Sequence, residues 1–175
     1  MELAIAPRNV LASGGKDAGA TAPAAATPAV AKTTLTVALP ADIVSLYTMG
    51  HNDIYSERVT RLVFNTLYRF DTSFRAVPDL VASMTQPSPT EYVFKLKQGV
   101  KFHDGSEMTS ADVKFSLERS MTSAKVKHVL SEVKSVDIVD TYTVKVTTKV
   151  PFAPFLFTLA HQGVSIVSKK YVEAG

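Results

Sequence analysis

The fold is decided by residues 93–116, which read VFKLKQGVKFHDGSEMTSADVKFS. The segment from Glu91 to Leu96 overlaps the start of this stretch and is predicted to be a strand with one buried face, because Tyr92, Phe94 and Leu96 alternate with Val93 and Lys95. An Asp-Gly pair then favours a tight turn, because aspartate bonds to nearby backbone amides and glycine tolerates a positive φ. A helix is predicted to begin after Thr109, and Asp112 is placed at the spacing of a capping box. The stretch therefore predicts a compact corner between a strand and a helix.

The same two periodicities predict the remaining elements on either side of this corner. The other predicted strands are Thr34–Leu39, Val133–Val139, Tyr142–Thr148 and Val164–Val167, and the other predicted helices are Ser56–Leu67, Pro151–Leu159 and a short one capped by Ser168. Asp140-Thr141 is predicted to be the turn between the third and fourth strands. The order β-α-β-α-β-β-α-β-α predicts an α/β fold (mixed α+β). We expect it to be incomplete, because the first and penultimate elements find few sheet partners.

Composition excludes several classes of protein. The chain has 175 residues, 46% of them hydrophobic and 20% charged, which is typical of a globular domain rather than a disordered or collagen-like chain. The absence of cysteine excludes disulfide scaffolds, thiolate metal sites and cysteine nucleophiles. The net charge of +3 comes from scattered rather than clustered basic residues, so nucleic acid is not an expected partner.

The N-terminal residues 1–33 are rich in alanine, glycine, proline and threonine, and we expect a disordered leader or linker. Within them, Val10 to Gly15 resembles a lipoprotein processing site, but Ser13 stands where the lipidated cysteine would be. Two interpretations stay open: a chance match in a linker, or a secreted protein with an altered start. The most apolar segment, Pro151 to Val167, is too short and too interrupted to span a membrane.

Side chains that could carry chemistry do not form a recognisable catalytic set. There is no Gly-x-Ser-x-Gly elbow and no phosphate-binding glycine loop, so no cofactor is predicted. The four histidines (His51, His103, His128 and His161) are far apart in sequence, and no metal site is predicted. His103 and Asp104 are adjacent on an extended segment and would point to opposite faces, which favours a structural turn over a hydrolase dyad.

Taken together, residues 93–116 closely resemble the signature stretch of family 5 solute-binding proteins, the peptide-, glutathione- and nickel-binding receptors of bacterial ABC importers. Asn65 to Asp71 and Pro78 to Ser83 resemble the two family motifs just upstream. Val136 to Ala160 and Ile166 to Ser168 resemble the downstream segments of the same family. The resemblance covers Thr34 to Gly175 in order.

The resemblance implies a periplasmic-binding-protein-like type II fold, represented here by the start of its first lobe and an accessory subdomain. Residues 34–62 would be the first segment of lobe I, residues 63–160 the accessory subdomain, and residues 161–175 a return segment into lobe I. Family members are several times longer than this folded part. The second lobe, which usually grips peptide termini, would then lie outside this chain.

The resemblance also implies a function and a site. The protein would be a non-enzymatic binding component in the periplasm or at the cell surface, with a peptide or other small solute and membrane permease subunits as partners. The loop after the first strand faces the ligand in the family, which nominates Ala41, Asp42 and Ile43 as contacts. His161 and Gln162 are nominated because they lie where the chain crosses back into lobe I. One departure lies nearby: Ser45 to Thr48 stands where the family often has Leu-Asp-Pro.

Two alternatives belong to other functional classes. The chain could be a stand-alone interaction module built from the accessory subdomain, or a hydrolase that uses His103. The binding-protein hypothesis predicts an exposed apolar surface where missing lobe segments would pack, and the interaction module would bind a protein partner through that same surface.

Overall fold

The structure is a computed structural model that describes residues 37–174. Its helices are α1 (Ile54–Thr60), α2 (Ser110–Thr122), α3 (Phe155–Thr158) and α4 (Lys169–Glu173). Its strands are β1 (Tyr68–Phe70), β2 (Ala76–Pro78), β3 (Val81–Ser88), β4 (Glu91–Leu96), β5 (Val133–Asp140) and β6 (Thr143–Thr148). Single 3-10 turns span Lys127–Leu130 and Gln162–Val164. The predicted mixed α/β class is confirmed.

Residues from Ala38 onward form one compact unit by their contacts. The boundaries predicted inside it, between residues 62 and 63 and between 160 and 161, stay predictions. The predicted leader, residues 1–33, lies outside the described residues.

The main sheet contains four antiparallel strands in the order β3–β4–β6–β5, and β1 and β2 form a separate antiparallel hairpin. Phe94 on β4 lies opposite Val144 on β6, and Val146 on β6 lies opposite Val136 on β5. All four side chains are buried, so one face of the sheet is the core face. The strand predicted at Glu91 to Leu96 is confirmed with the same bounds.

The predicted β5–β6 hairpin is confirmed, but its turn lies one residue later than predicted. Asp140 pairs with Thr143, so the loop residues are Thr141 and Tyr142. The Tyr142 N–H donates to the Asp140 carboxylate at 2.8 Å. That bond stabilises a turn without the usual glycine, since a short aspartate side chain can satisfy the turn amides.

Helix α2 packs its buried side chains, among them Val113 and Leu117, against the rest of the core. Its predicted capping box is confirmed, because the Thr109 N–H donates to the Asp112 carboxylate at 2.9 Å. Phe94 lies at the centre of the core, with its ring 6.1 Å from that of Tyr68 and 6.3 Å from that of Phe155. The corner predicted from residues 93–116 is therefore present, and its two arms bury a common core.

The helix predicted from Ser56 to Leu67 is shorter in the structure. It begins earlier, at Ile54, where Asp53 caps it by accepting the Ser56 N–H at 2.9 Å, and it ends at Thr60. Beyond Thr60 the backbone hydrogen bonds include pairs three residues apart, as in a 3-10 turn. The Leu62 N–H, for example, donates to the Val59 carbonyl at 3.0 Å. Leu62 is 86% exposed, so no buried face stabilises further helical turns.

Other predicted bounds are also corrected. Of the strand predicted at Thr34–Leu39, residues 34–36 lie outside the described residues, and residues 37–39 are not in a strand. The helix predicted at Pro151–Leu159 narrows to α3. The strand predicted at Val164–Val167 is a 3-10 turn followed by extended chain.

Strands β1, β2 and β3 were not predicted, so the predicted element order is wrong. The short final helix is confirmed, with the Ser168 hydroxyl accepting the Tyr171 N–H.

Candidate functional site

The predicted contact residues occupy two separate segments that both touch α1. Ala41, Asp42 and Ile43 lie on an exposed loop. Next to this loop, the Val44 N–H donates to the Ser56 hydroxyl at 2.9 Å. His161 lies just after α3, and its Nε2 is 3.6 Å from the carboxylate of Glu57, the neighbour of Ser56 on α1. Both predicted segments therefore contact the first turn of α1. The contact of either segment with a solute stays a prediction.

His161 and Gln162 differ in how accessible they are. The His161 side chain is 30% exposed. Gln162 is buried, and its amide donates to the Ser165 hydroxyl at 2.9 Å. A solute would therefore meet Gln162 through its backbone unless that side-chain bond opened.

The start of α1 carries a small polar group. Asp53 caps the helix, and the hydrogen bonds that it accepts from Ser56, the backbone one first, lower the pKa of its carboxyl below the usual range. The Nδ1 atom of His51 lies 3.4 Å from the second Asp53 oxygen. Among the described residues, neither His51 nitrogen has a hydrogen-bond partner, although His51 is buried. This group caps the helix whose Ser56 hydroxyl also binds the backbone next to the exposed loop.

Three polar side chains on one face of α2 hold the return segment. The Lys169 N–H donates to the Asp112 carboxylate at 2.9 Å, and the Val167 N–H donates to the Ser116 hydroxyl at 3.0 Å. The Ser120 hydroxyl donates to the Gly163 carbonyl at 3.1 Å. Residues four apart share a helix face, so this polar stripe (Asp112, Ser116 and Ser120) takes the place of a sheet ladder. Sequence reasoning missed it.

Replacing Ser116 with alanine should lower the free energy of unfolding by about 1–2 kcal/mol, because the buried Val167 N–H would lose its acceptor. Urea unfolding monitored by far-UV circular dichroism would measure the change. The matched control is Thr122→Ala, at an exposed position of the same helix, which should change stability by less than about 0.5 kcal/mol. Equal effects of the two changes would contradict the assigned role of the polar stripe.

An open groove of about 550 Å³ lies beside the return segment. Most of its lining is apolar, and polar side chains enter mainly from the turn at residues 101–104. The lining includes Val63, Phe64, Val100, Ile166, Val167 and Val172. Three large apolar side chains of its lining are exposed to solvent: Tyr47, Val63 and Tyr171. This surface, which we call the lobe groove, has the character of a packing surface left uncovered in the described residues.

The His103-Asp104-Gly105 segment forms the predicted turn. Gly105 has φ of 82°, a region that glycine enters at little cost. The Asp104 carboxylate accepts the Ser106 hydroxyl at 2.6 Å and the Ser106 N–H at 2.9 Å, and these bonds lower the pKa of Asp104. Its hydrogen bonds thus go to Ser106, and the geometry favours the structural interpretation over a hydrolase dyad with His103.

Metal-binding clusters and membrane-spanning helices are both absent from residues 37–174. In this range no three histidine, aspartate or glutamate side chains gather closely enough to hold a metal ion. Over the same part of the chain, none of the helices has both the length and the apolar character to cross a membrane.

Curated relatives of the chain are solute-binding proteins. The glutathione-binding protein GsiB of Pectobacterium atrosepticum is 33% identical over 155 residues, which are 86% of this chain and 30% of that protein. GsiB of Salmonella typhimurium is 30% identical over 153 residues, which are 85% of this chain and 30% of that protein. The chain thus spans about 30% of the length of the curated relatives that it matches.

Solved structures of similar fold are binding proteins as well. The binding protein AgaA of A. tumefaciens R10, in complex with agropinic acid, has a TM-score of 0.71 and 28% identity, covering 76% of this chain and 28% of that one. DppA of Helicobacter pylori, in complex with the peptide STSA, has a TM-score of 0.67 and 29% identity. The match covers 77% of this chain and 30% of that one. OppA of Burkholderia pseudomallei has a TM-score of 0.71 at 21% identity, and the match covers 78% of this chain and 30% of that one. This likeness supports the periplasmic-binding-protein-like fold.

The family assignment comes from the middle of the chain onward. Residues 75–174 match the model of the bacterial extracellular solute-binding proteins, family 5. The match includes the corner between β4 and α2, the β5–β6 hairpin and the return segment. This chain belongs to family 5 of the bacterial extracellular solute-binding proteins.

Proposed function

We propose that this chain forms the front part of the first lobe of a binding protein that captures a peptide or similar small solute and delivers it to an ABC permease. The match of residues 75–174 to the family carries the proposal. Two relatives support the solute class, since DppA was solved with a peptide and AgaA with agropinic acid. The protein would work in the periplasm or at the cell surface, as its family's description as extracellular suggests.

The mechanism is closure of two lobes on a solute about a hinge. Contacts of the solute with both lobes favour the closed form, because a ligand shifts an equilibrium only by its differential affinity. In this chain the exposed loop of Ala41, Asp42 and Ile43 would offer backbone groups to an extended peptide, which binds such groups as an added strand. His161 and Gln162 would border the same cleft from the return segment.

The lobe groove fits this role. Relatives carry much more chain than the matched part, and the groove presents apolar side chains beside the return segment. We infer that further segments of lobe I pack there in the complete binding protein. Covering the exposed side chains of Val63 and Tyr171 would add favourable free energy in proportion to the apolar area buried, so the complete lobe should be more stable than this chain.

The proposed role is binding rather than catalysis, and it needs no cofactor. The signature turn supports this, because its aspartate is bonded to Ser106 and its glycine has a turn conformation. The most chemically suggestive residues of the chain therefore shape a corner. A solute would be recognised by hydrogen bonds and shape, and nucleic acid is not among the proposed partners.

A hybrid protein tests the proposal. Residues 37–174 would replace the matching segment of the Pectobacterium atrosepticum glutathione-binding protein, and glutathione would be titrated by calorimetry. We expect the hybrid to bind glutathione and this chain alone to bind none, because the remaining cleft residues come from the relative. Asp42→Ala removes the carboxylate that the loop would offer to the amino group of glutathione, in addition to its backbone groups, and should weaken binding to the hybrid at least about tenfold, equivalent to ~1.4 kcal/mol.

The matched control is Asp137→Ala, which removes a carboxylate from the exposed part of β5, outside the predicted cleft segments. This change should leave the affinity of the hybrid unaltered. A hybrid that is folded and monomeric but binds no glutathione would contradict the proposed function. A hybrid that fails to fold would contradict the packing role inferred for the lobe groove.

A further inference from the structure

The His161 side chain closes the 3-10 turn that comes directly after it. The Gly163 N–H donates to the Nδ1 atom of His161 at 3.0 Å, so that this nitrogen acts as the N-cap of the turn Gln162–Val164. An imidazole nitrogen can accept a hydrogen bond only when it carries no proton. The cap therefore requires neutral His161 with its proton on Nε2, the nitrogen that faces Glu57 at 3.6 Å.

Protonation of His161 is incompatible with this cap. A proton on Nδ1 would point at the Gly163 N–H, and two donors cannot share a hydrogen bond. The ring would have to turn, and it could then keep only its interaction with the Glu57 carboxylate. Gly163 cannot follow freely, because its carbonyl is held by Ser120 and its α-carbon lies against Val126.

We propose that His161 is a proton-sensitive latch, in which protonation of Nδ1 releases the Gly163 N–H and loosens the turn Gln162–Val164. The effect would extend to the loop at residues 41–45, because Glu57 is the neighbour of Ser56, whose hydroxyl accepts the Val44 N–H. The latch is a property of this fold and does not depend on the proposed solute-binding function.

The charges around the ring set the direction of the effect. Burial lowers the pKa of His161 below its ordinary value of 6.5, and the positive charges of Arg61 and His128 lower it further. The Glu57 carboxylate opposes them by raising it. The folded chain disfavours the protonated form of His161. The contribution of the neutral imidazole to the free energy of unfolding is therefore complete above pH 6.5 and is lost as the pH falls through the lowered pKa of His161.

Amide NMR of the ¹⁵N-labelled full chain between pH 8 and pH 5 tests the latch. The protection factor of the Gly163 amide, its exchange rate relative to the intrinsic rate at the same pH, should fall with a midpoint below pH 6.5 until it equals that of the uncapped variant His161→Ala at the same pH. The matched control is His161→Asn, since asparagine caps helical turns well and does not titrate. In this control, Gly163 should stay protected at every pH. The change His128→Gln should keep the transition but move its midpoint to higher pH, because it removes a group that lowers the pKa of His161.

Two results would overturn the latch. One is a Gly163 amide that stays protected in the wild type at a pH where the ring chemical shifts show His161 to be protonated. The other is His161→Asn showing the same transition as the wild type, including a parallel global unfolding of both proteins in acid. Global unfolding of the wild type at a pH where His161→Asn remains folded would support the latch.

Discussion

Replacing Phe94 with alanine is expected to lower the free energy of unfolding by about 3–5 kcal/mol, the usual cost of removing a buried phenylalanine. Phe94 is fully buried on the core face of β4, between the rings of Tyr68 and Phe155. Its removal would leave a cavity that these side chains can fill only in part. Urea unfolding monitored by far-UV circular dichroism would measure the loss.

Phe74→Ala is the matched control, because it removes the same atoms from a side chain that is 82% exposed. Its effect should stay within about 0.5 kcal/mol. If Phe94→Ala leaves the chain unfolded without urea, the milder Phe94→Leu keeps the comparison measurable and should cost less than Phe94→Ala. A loss below about 1 kcal/mol for Phe94→Ala would contradict a core centred on this ring.

The corner between β4 and α2 could be predicted because its signals are local. Tyr92, Phe94 and Leu96 stand at every second position of β4, and Thr109 and Asp112 have the spacing of a capping box. Strand β3 lacks such a signal, because it lies at the edge of the sheet and much of it is exposed. Its Pro87 argues against a strand by pattern alone, yet proline is tolerated at sheet edges. Strands β1 and β2 have three residues each, too few for any periodicity.

The helix predicted at Ser56–Leu67 shows what a hydrophobic pattern can and cannot report. Its apolar residues predict a buried face, but Leu62 is 86% exposed and Val63 is exposed in the lobe groove. These two side chains would be buried if further segments of lobe I covered them, as we infer for the complete binding protein. An apolar pattern reports the need for a partner, and it does not say whether the described residues supply one.

The polar stripe on α2 marks the limit of local reasoning about the site. Ser116 and Ser120 lie four residues apart, so their common face could be deduced from the sequence. Their partners could not, because Val167 and Gly163 lie 51 and 43 residues away along the chain. The loop of Ala41, Asp42 and Ile43 came only from the family resemblance, and its contact with a solute remains to be tested.

Replacing Gly163 with alanine is expected to destabilise the fold by about 3 kcal/mol, from overpacking and a disturbed cap together. A methyl group there would lie 2.6 Å from Cγ1 of Val126 and 3.1 Å from Nδ1 of His161. Val126 is fully buried, and its branched side chain has few alternative rotamers, so the clash cannot be relieved by a simple rotation. Urea unfolding of the variant would measure the loss.

A double-mutant cycle separates this clash from a general intolerance of alanine at that position. Val126→Ala removes the atom that the new methyl would meet, so the double variant should be more stable than the sum of the single changes predicts, by at least about 1 kcal/mol. Gly50→Ala is the matched control: its methyl would meet the Tyr47 ring at 2.9 Å, but that ring is partly exposed and can move. It should therefore cost less than about 1 kcal/mol. Strict additivity of Gly163→Ala and Val126→Ala would show that the return segment is not packed against Val126 as the structure places it.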